Sequence, residues 1–302
     1  MPAALTLLTV HAHPDDETIG TGGAMARYAA EGIRVVCVTC TYGENGEIVV
    51  PEMDTPDHHA RLGEIRQEEL ARALARLGRV EHRWLGYRDS GMMGAPENED
   101  PRSFWKSDLT EATERLVRIV REVRPHVVTI YNAFGGYGHP DHIRSGEVGR
   151  AAFERAGDAT AFPEQAADGL QPWQPLKLYE QTFEAGRRED PELLQLLEER
   201  DIAAPWRPPP DETDEARAER EAWWARMLAA AGPLTTRVDV SSYAEAKLAA
   251  LREHVTQIAP KSWFLALDAD ELRRFSPTED FSLVESRLPV RLPESDLFAG
   301  LR

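Results

Sequence analysis

The chain has 302 residues and a formal net charge of -17 at pH 7, length enough for one large α/β domain or two smaller lobes. Acidity on this scale repels phosphate backbones and argues against a nucleic-acid partner. No apolar run approaches the ~20 residues that a membrane span needs, which argues against a spanning protein.

The first apolar run, LTLLTVHA (residues 5–12), predicts a strand buried on both faces. The N-terminus has neither a basic leader nor a small-residue cleavage site, so no secretory signal is expected. HPDDETIGTGG follows as a loop, with a helix expected near Gly22 to Ala30 and a stop at Gly32. IRVVCVTCT (33–41) predicts a second strand carrying both cysteines, Cys37 and Cys40. Three apart on a strand, they point to opposite faces and do not pair easily, so they are expected as free thiols in a reducing compartment, the cytoplasm. A long polar loop leads to a helix over Ala60 to Leu77, a short strand VEHRWLGY, a second polar loop, and a helix over Asp108 to Val123. HVVTIYNA (126–133) is a β-branched strand, followed by FGGYGHPDH and a helix from about Ile143 to Ala156. This alternation predicts a Rossmann-like, mostly parallel sheet with helices on both faces.

Beyond it, PLKLYEQTF (175–183) reads as a strand, WRPPPDE (206–212) as a proline-rich boundary, Glu215 to Ala231 as a charged helix, TTRVDVSSY as a strand and Tyr243 to Ile258 as a helix. The expected organisation is a catalytic domain over 1–190 and a smaller C-terminal α+β lobe over 191–302 that shapes a substrate pocket.

Two clusters carry chemistry: His11-Ala-His13-Pro14-Asp15-Asp16-Glu17 and His139-Pro140-Asp141-His142. Each falls between a predicted strand and a predicted helix. In a doubly wound sheet such positions meet at the carboxyl ends of the strands, where strand order reverses. His13, Asp16 and His142 make a three-ligand set for a catalytic zinc with one position left for water. The same donors also accept iron(II), cobalt or manganese. Asp15 is the candidate base and His139 the group that polarises or protonates the amide. Asp141 suits orientation of a histidine through its ring N–H. Taken alone, a histidine near a helix start is usually a cap, and an Asp-Asp pair there usually offsets the helix dipole. Two such clusters at strand ends outweigh that reading. His11, on the strand itself, reads as a hydrogen-bonded core residue, and His58, His59, His82, His126 and His254 carry no signal individually. Gly20-x-Gly22-Gly23 lacks the dinucleotide spacing, and neither a G-x-S-x-G elbow nor a P-loop is present.

HAHPDDE and HPDH, in this order, resemble the zinc-dependent N-acetylglucosaminyl deacetylases of the LmbE-like (PIG-L) superfamily. YGENGEI, YRDSGM, SFW and RPHVVTIYNAFGGYGHPDHIRSGEV look like the actinobacterial enzymes of mycothiol metabolism. The part through about residue 150 is similar to the N-acetylglucosaminyl-inositol deacetylase, whereas HVTQIAPKSWF and LPVRLPESDLF are more like the mycothiol S-conjugate amidase. The resemblance implies a zinc-dependent amide hydrolase with ligands His13, Asp16 and His142, base Asp15, oxyanion-stabilising His139, and Asp141 tuning that histidine. It places a mobile tyrosine at Tyr137 and sugar contacts at Arg66, Asp89 and Glu47, although helix-surface, turn and loop-charge roles stay open for the last three. Deacetylation of N-acetylglucosaminyl-inositol or -malate is the first functional expectation. Cleavage of a thiol S-conjugate is the second, and a non-catalytic sugar- or dinucleotide-binding module the third.

Overall fold

The computed structural model of the chain describes residues 5–184, 189–204, 206–208 and 212–302. The proline-rich boundary at 206–212 therefore lies partly outside the described residues. Strands β1 (Thr6–His11), β2 (Arg34–Thr41), β3 (Val80–Tyr87), β4 (Val127–Ile130), β5 (Lys177–Thr182), β6 (Thr236–Asp239) and β7 (Thr278–Ser286) form a seven-stranded sheet in the order β3-β2-β1-β4-β5-β7-β6. β1 to β5 run parallel, whereas β7 pairs antiparallel with both β5 and β6. The mostly parallel sheet expected from the alternation is thus present, and β6 and β7 extend the same sheet beyond residue 190.

The helices are α1 (Asp16–Ala30), α2 (Pro56–Ala60), α3 (Leu62–Leu77), α4 (Leu109–Val123), the short turn α5 (Gly135–Gly138), α6 (Pro140–Arg155), α7 (Pro163–Ala167), α8 (Pro191–Glu199), α9 (Asp214–Ala230), α10 (Ala244–Leu251) and α11 (Ala269–Phe275). β1 is fully buried, and its alternation splits the core. Leu8 and Val10 pack with Leu116, Val120 and Phe153 of α4 and α6, while Leu7 packs with Met25, Leu70 and Leu74 of α1 and α3. A satellite cluster of Leu193, Leu197, Trp206 and Ala266 lies apart from both. Among the described residues, no helix is long and apolar enough to cross a membrane.

Three boundaries differ from the sequence expectation in ways that matter. α1 begins at Asp16 rather than Gly22, because Asp16 and Glu17 in the first turn complement the helix dipole. α6 begins at Pro140 rather than Ile143: proline is preorganised for the first helical position, and the His139 side chain accepts from Asp141 N–H as the cap. Both shifts move chemical residues from loop to rigid first turn. The expected helix Tyr243 to Ile258 ends at Leu251, and its last residues leave the helix axis.

Candidate active site

β1 is flanked by β2 on one side and β4 on the other, so the chain winds away in both directions from the β1/β4 seam. The segments leaving the carboxyl ends of β1 and β4 open at that seam. They bring His13, Asp15 and Asp16 against His139 and His142, as the predicted alternation requires.

Oδ2 of Asp16 stands between the two histidines, 3.3 Å from His13 Nδ1 and 3.2 Å from His142 Nε2. His13 N–H also donates to this oxygen at 2.8 Å. His142 Nε2 is buried and has no hydrogen-bond partner. Its Nδ1 lies 3.1 Å from the Gly135 carbonyl, which fixes the proton on that nitrogen and leaves Nε2 as a bare lone pair. An orphaned imidazole lone pair aimed at a carboxylate oxygen is what a cation between them would satisfy. The ring nitrogens of His13, His139 and His142 also offer atoms that all lie within 4.8 Å of one another.

Electrostatics point the same way. Burial opposes protonation of His13, yet Asp89, Asp141 and Asp16 hold its pKa well above the ordinary histidine value. Burial likewise pushes the Asp16 carboxyl up, but His142 and His13 outweigh it and hold it well below the usual carboxylate range. The pocket therefore concentrates negative charge around buried imidazoles, an arrangement stabilised by bound positive charge.

Asp15 caps α1 with φ 120, ψ -34, a conformation that side chains rarely adopt. Burial pushes its carboxyl up to about 6, against the pull of Arg66. Arg66 Nη2 lies 3.5 Å from Asp15 Oδ2. The guanidinium also donates to the carbonyls of Gly43 at 2.8 Å and Pro14 at 2.7 Å, so Arg66 clamps the Asp15 loop as well as lining the pocket.

His139 Nδ1 accepts Asp141 N–H at 3.1 Å, which leaves Nε2 to carry the proton of the neutral ring. Burial, with His13 and His142 nearby, lowers its pKa to about 2. The Asp141 carboxylate does not turn to His139, as the family resemblance implies. It meets His13 Nε2 at 3.1 Å and accepts from Ser90 N–H at 2.9 Å and from the Ser90 hydroxyl. The reason is the first turn of α6, which sends the Asp141 side chain behind His13.

His13, Asp15, Asp16, Glu47, Arg66, Asp89, Tyr137, His139 and His142 all line one pocket of about 1380 Å³, and Asp141 lies behind it. Asp89 is buried and 3.7 Å from His13 Nε2, with Gly91 N–H donating to it at 2.8 Å. Tyr137 is exposed, its ring centroid 4.8 Å from that of His142. Glu47 is exposed at the rim, where its carbonyl accepts from Gln257 Nε2 at 3.0 Å. Residues from the C-terminal segments, Trp206, Trp223, Trp224, Trp263 and Phe264, form an aromatic wall.

Sequence reasoning missed two parts of this site. Ser90 lies inside YRDSGM, but nothing in that string marks its hydroxyl as a partner of Asp141. His254 has no metal-ligand spacing, yet it is fully buried against Glu17 at 3.0 Å. The only available signal was the unexplained last acid of HPDDE.

The family model described as PIG-L, GlcNAc-PI de-N-acetylase, matches residues 8–153. The chain is 44% identical to a 1D-myo-inositol 2-acetamido-2-deoxy-alpha-D-glucopyranoside deacetylase of Nocardiopsis dassonvillei, with 97% of this chain and 100% of that protein covered. It is also 44% identical to deacetylase 1 of the same name from Frankia alni, over 97% and 99% of the two chains. The fold resembles the N,N'-diacetylchitobiose deacetylase of Pyrococcus horikoshii, with a TM-score of 0.61, 20% identity, and 93% and 84% of the two chains covered.

Proposed function

The chain belongs to the PIG-L family of GlcNAc-PI de-N-acetylases, hydrolases that act on N-acetyl amides, and we propose that it removes the acetyl group from N-acetylglucosaminyl-inositol in low-molecular-weight thiol biosynthesis. The observation that carries the reading is the meeting of His13, Asp16 and His142 beside Asp15 at the β1/β4 seam, in a chain that matches named deacetylases along its whole length.

In this reading His13, Asp16 and His142 hold one divalent ion, with zinc favoured by the donor set. When bound, the ion supplies Lewis acidity, lowering the pKa of a water toward ~7 and polarising the amide carbonyl. Asp15 takes the proton from the attacking water and passes one to the departing amine as the C–N bond breaks. His139, neutral and protonated at Nε2, donates to the carbonyl oxygen as charge builds on it. Asp141 sets the tautomer and angle of His13. Arg66 and Asp89 face the sugar, with Tyr137 and Glu47 at the mouth. The products are acetate and a free amino sugar.

Residues 191–302 act in this scheme as the part that shapes the pocket. Their aromatic wall favours a second reading, cleavage of a thiol S-conjugate amide, because an apolar substituent has somewhere to bind. The two free, buried cysteines support a reducing setting, the cytoplasm.

Two assays on the metal-analysed protein test these readings: acetate release from N-acetylglucosaminyl-inositol, and cleavage of a bimane-labelled mycothiol conjugate. Acetate release that chelation abolishes and zinc restores is expected. Faster cleavage of the conjugate selects the second reading, and inactivity on both with metal bound overturns both.

A further inference from the structure

Glu17 and His254 are both fully buried, and they come from opposite ends of the chain. His254 Nε2 lies 3.0 Å from Glu17 Oε1, and the Thr18 hydroxyl donates to the same oxygen. The other oxygen, Oε2, accepts the backbone N–H of Asp15 at 2.9 Å. His254 Nδ1 has no hydrogen-bond partner, so the ring spends its single strong contact on Glu17.

A buried carboxylate–imidazole pair is a poor way to stabilise a core, since desolvation of both groups offsets most of their attraction. Its position suggests another use. Asp15 is held at φ 120 without being glycine, and such a backbone persists only where its surroundings over-determine it. Three restraints act on it. Arg66 grips the Pro14 carbonyl, the Asp15 carbonyl accepts the first N–H groups of α1 from Thr18 and Ile19, and Glu17 takes the Asp15 N–H. Arg66 and Glu17 hold the two ends of the Pro14–Asp15 peptide unit, Arg66 through its carbonyl and Glu17 through its N–H, and His254 keeps the Glu17 carboxylate aimed there.

The segment containing His254 is fastened on the other sides too. Thr256 donates through N–H and hydroxyl to Glu69 of α3 at 2.8 and 2.7 Å. Val49 N–H donates to the Thr256 carbonyl at 2.9 Å. One turn after α10 is thereby tied to α1, α3 and the pocket-lining loop around Val49.

We propose that Glu17 and His254 are positioning residues that hold the backbone of Asp15 in its strained conformation, so that its carboxylate faces the reacting water. This rests on Asp15 being the base, and the experiment separates the two claims. All variants are compared as metal-loaded full-length enzyme. Asp15→Asn serves as reference and loses turnover if Asp15 is the base.

Glu17→Ala is expected to lose at least about 30-fold in kcat, with KM within about threefold and metal content unchanged, as misplacement of a catalytic group does. Glu17→Gln keeps an oxygen for the Asp15 N–H and recovers most of that loss. His254→Leu loses about 10-fold or more in kcat, whereas His254→Gln, which keeps a donor for Glu17, stays within about threefold of the natural enzyme. A crystal structure of Glu17→Ala shows Asp15 leaving its positive φ.

If Glu17→Ala does not fold, the two His254 variants decide. Folded, metal-loaded Glu17→Ala or His254→Leu with unchanged kcat overturns the proposal, as does a loss confined to KM or metal content. If Asp15→Asn itself keeps full turnover, the reading of the base fails first.

Discussion

Nε2 of His13 meets Oδ2 of Asp141 at 3.1 Å, and the contact decides which nitrogen of His13 faces Asp16. In the neutral ring that could ligate a cation, a proton held toward Asp141 leaves Nδ1 as the lone pair, 3.3 Å from the Asp16 carboxylate. Asp141→Asn keeps the shape but removes the charge that favours this tautomer. Metal affinity is expected to fall about 10- to 100-fold, the usual effect of losing a partner that orients a ligand. Competition with a zinc chelator measures it. Unchanged affinity would mean that His13 is oriented by packing alone.

Asp15→Asn retains the side-chain volume and the Glu17 bond to its backbone, and removes the carboxylate proposed as proton acceptor. Turnover is expected to fall by at least ~100-fold while metal content stays at the natural level. Single-turnover acetate release, paired with elemental analysis, distinguishes loss of chemistry from loss of the ion. A non-catalytic binding module predicts no effect of this substitution on whatever function it serves, and Asp15→Asn at full activity would leave that third possibility standing.

Much of the site was legible because its chemistry sits in two short strings at predictable strand ends. His13, Asp15, Asp16, His139 and His142 are placed by topology alone, once β1 and β4 are recognised as parallel neighbours across a reversal. What sequence could not convey is how side chains divide their partners. Asp141 belongs to His13 because α6 starts at Pro140, three residues before the periodicity of its apolar face becomes visible. β7 escaped notice for a related reason. Its buried residues include Glu279, Asp280 and Ser282, so the apolar alternation that announces a strand is broken. Glu279 is buried because its carboxylate accepts from Lys247 and from the N–H groups of Gly23 and Ala24 at 2.8 Å each, the last two across more than 250 residues, and no local pattern encodes such contacts.

Gly135 approaches the site more closely than any side chain would allow. A Cβ there would stand 2.6 Å from both the Cβ of His142 and the Ile143 nitrogen, and its φ of +64 already favours glycine. Its carbonyl also holds His142 Nδ1. Gly135→Ala must therefore push α6 outward or twist the turn that orients His142. The expected result is a loss of about 1–3 kcal/mol in stability from overpacking, with a measurable drop in metal affinity. Denaturant unfolding and metal titration on the same preparation check the two effects. Lowered stability with unchanged affinity would show that the strain relaxes away from His142.

A buried ionic network lies outside the chemistry. Lys177 on β5 is buried, with Nζ 2.7 Å from Glu294 Oε1 and 3.1 Å from the Ala299 carbonyl. The Tyr179 hydroxyl donates to the other Glu294 oxygen at 2.6 Å, and the Thr236 hydroxyl lies 3.2 Å from it. These bonds fasten the chain's last segment to β5 and β6. Lys177→Met removes the cation and leaves a buried carboxylate with hydroxyl donors only. Breaking such a pair costs about 3–5 kcal/mol, far more than the intact pair contributes, because the surviving charge is stranded. Urea unfolding should show that loss as a lower midpoint, while KM and metal content of the folded fraction stay near natural values. Glu294→Leu added to Lys177→Met should recover part of the stability, since the stranded charge is gone. If the double variant is no better than the single one, the cost lies in lost packing around Tyr179 and not in the charge.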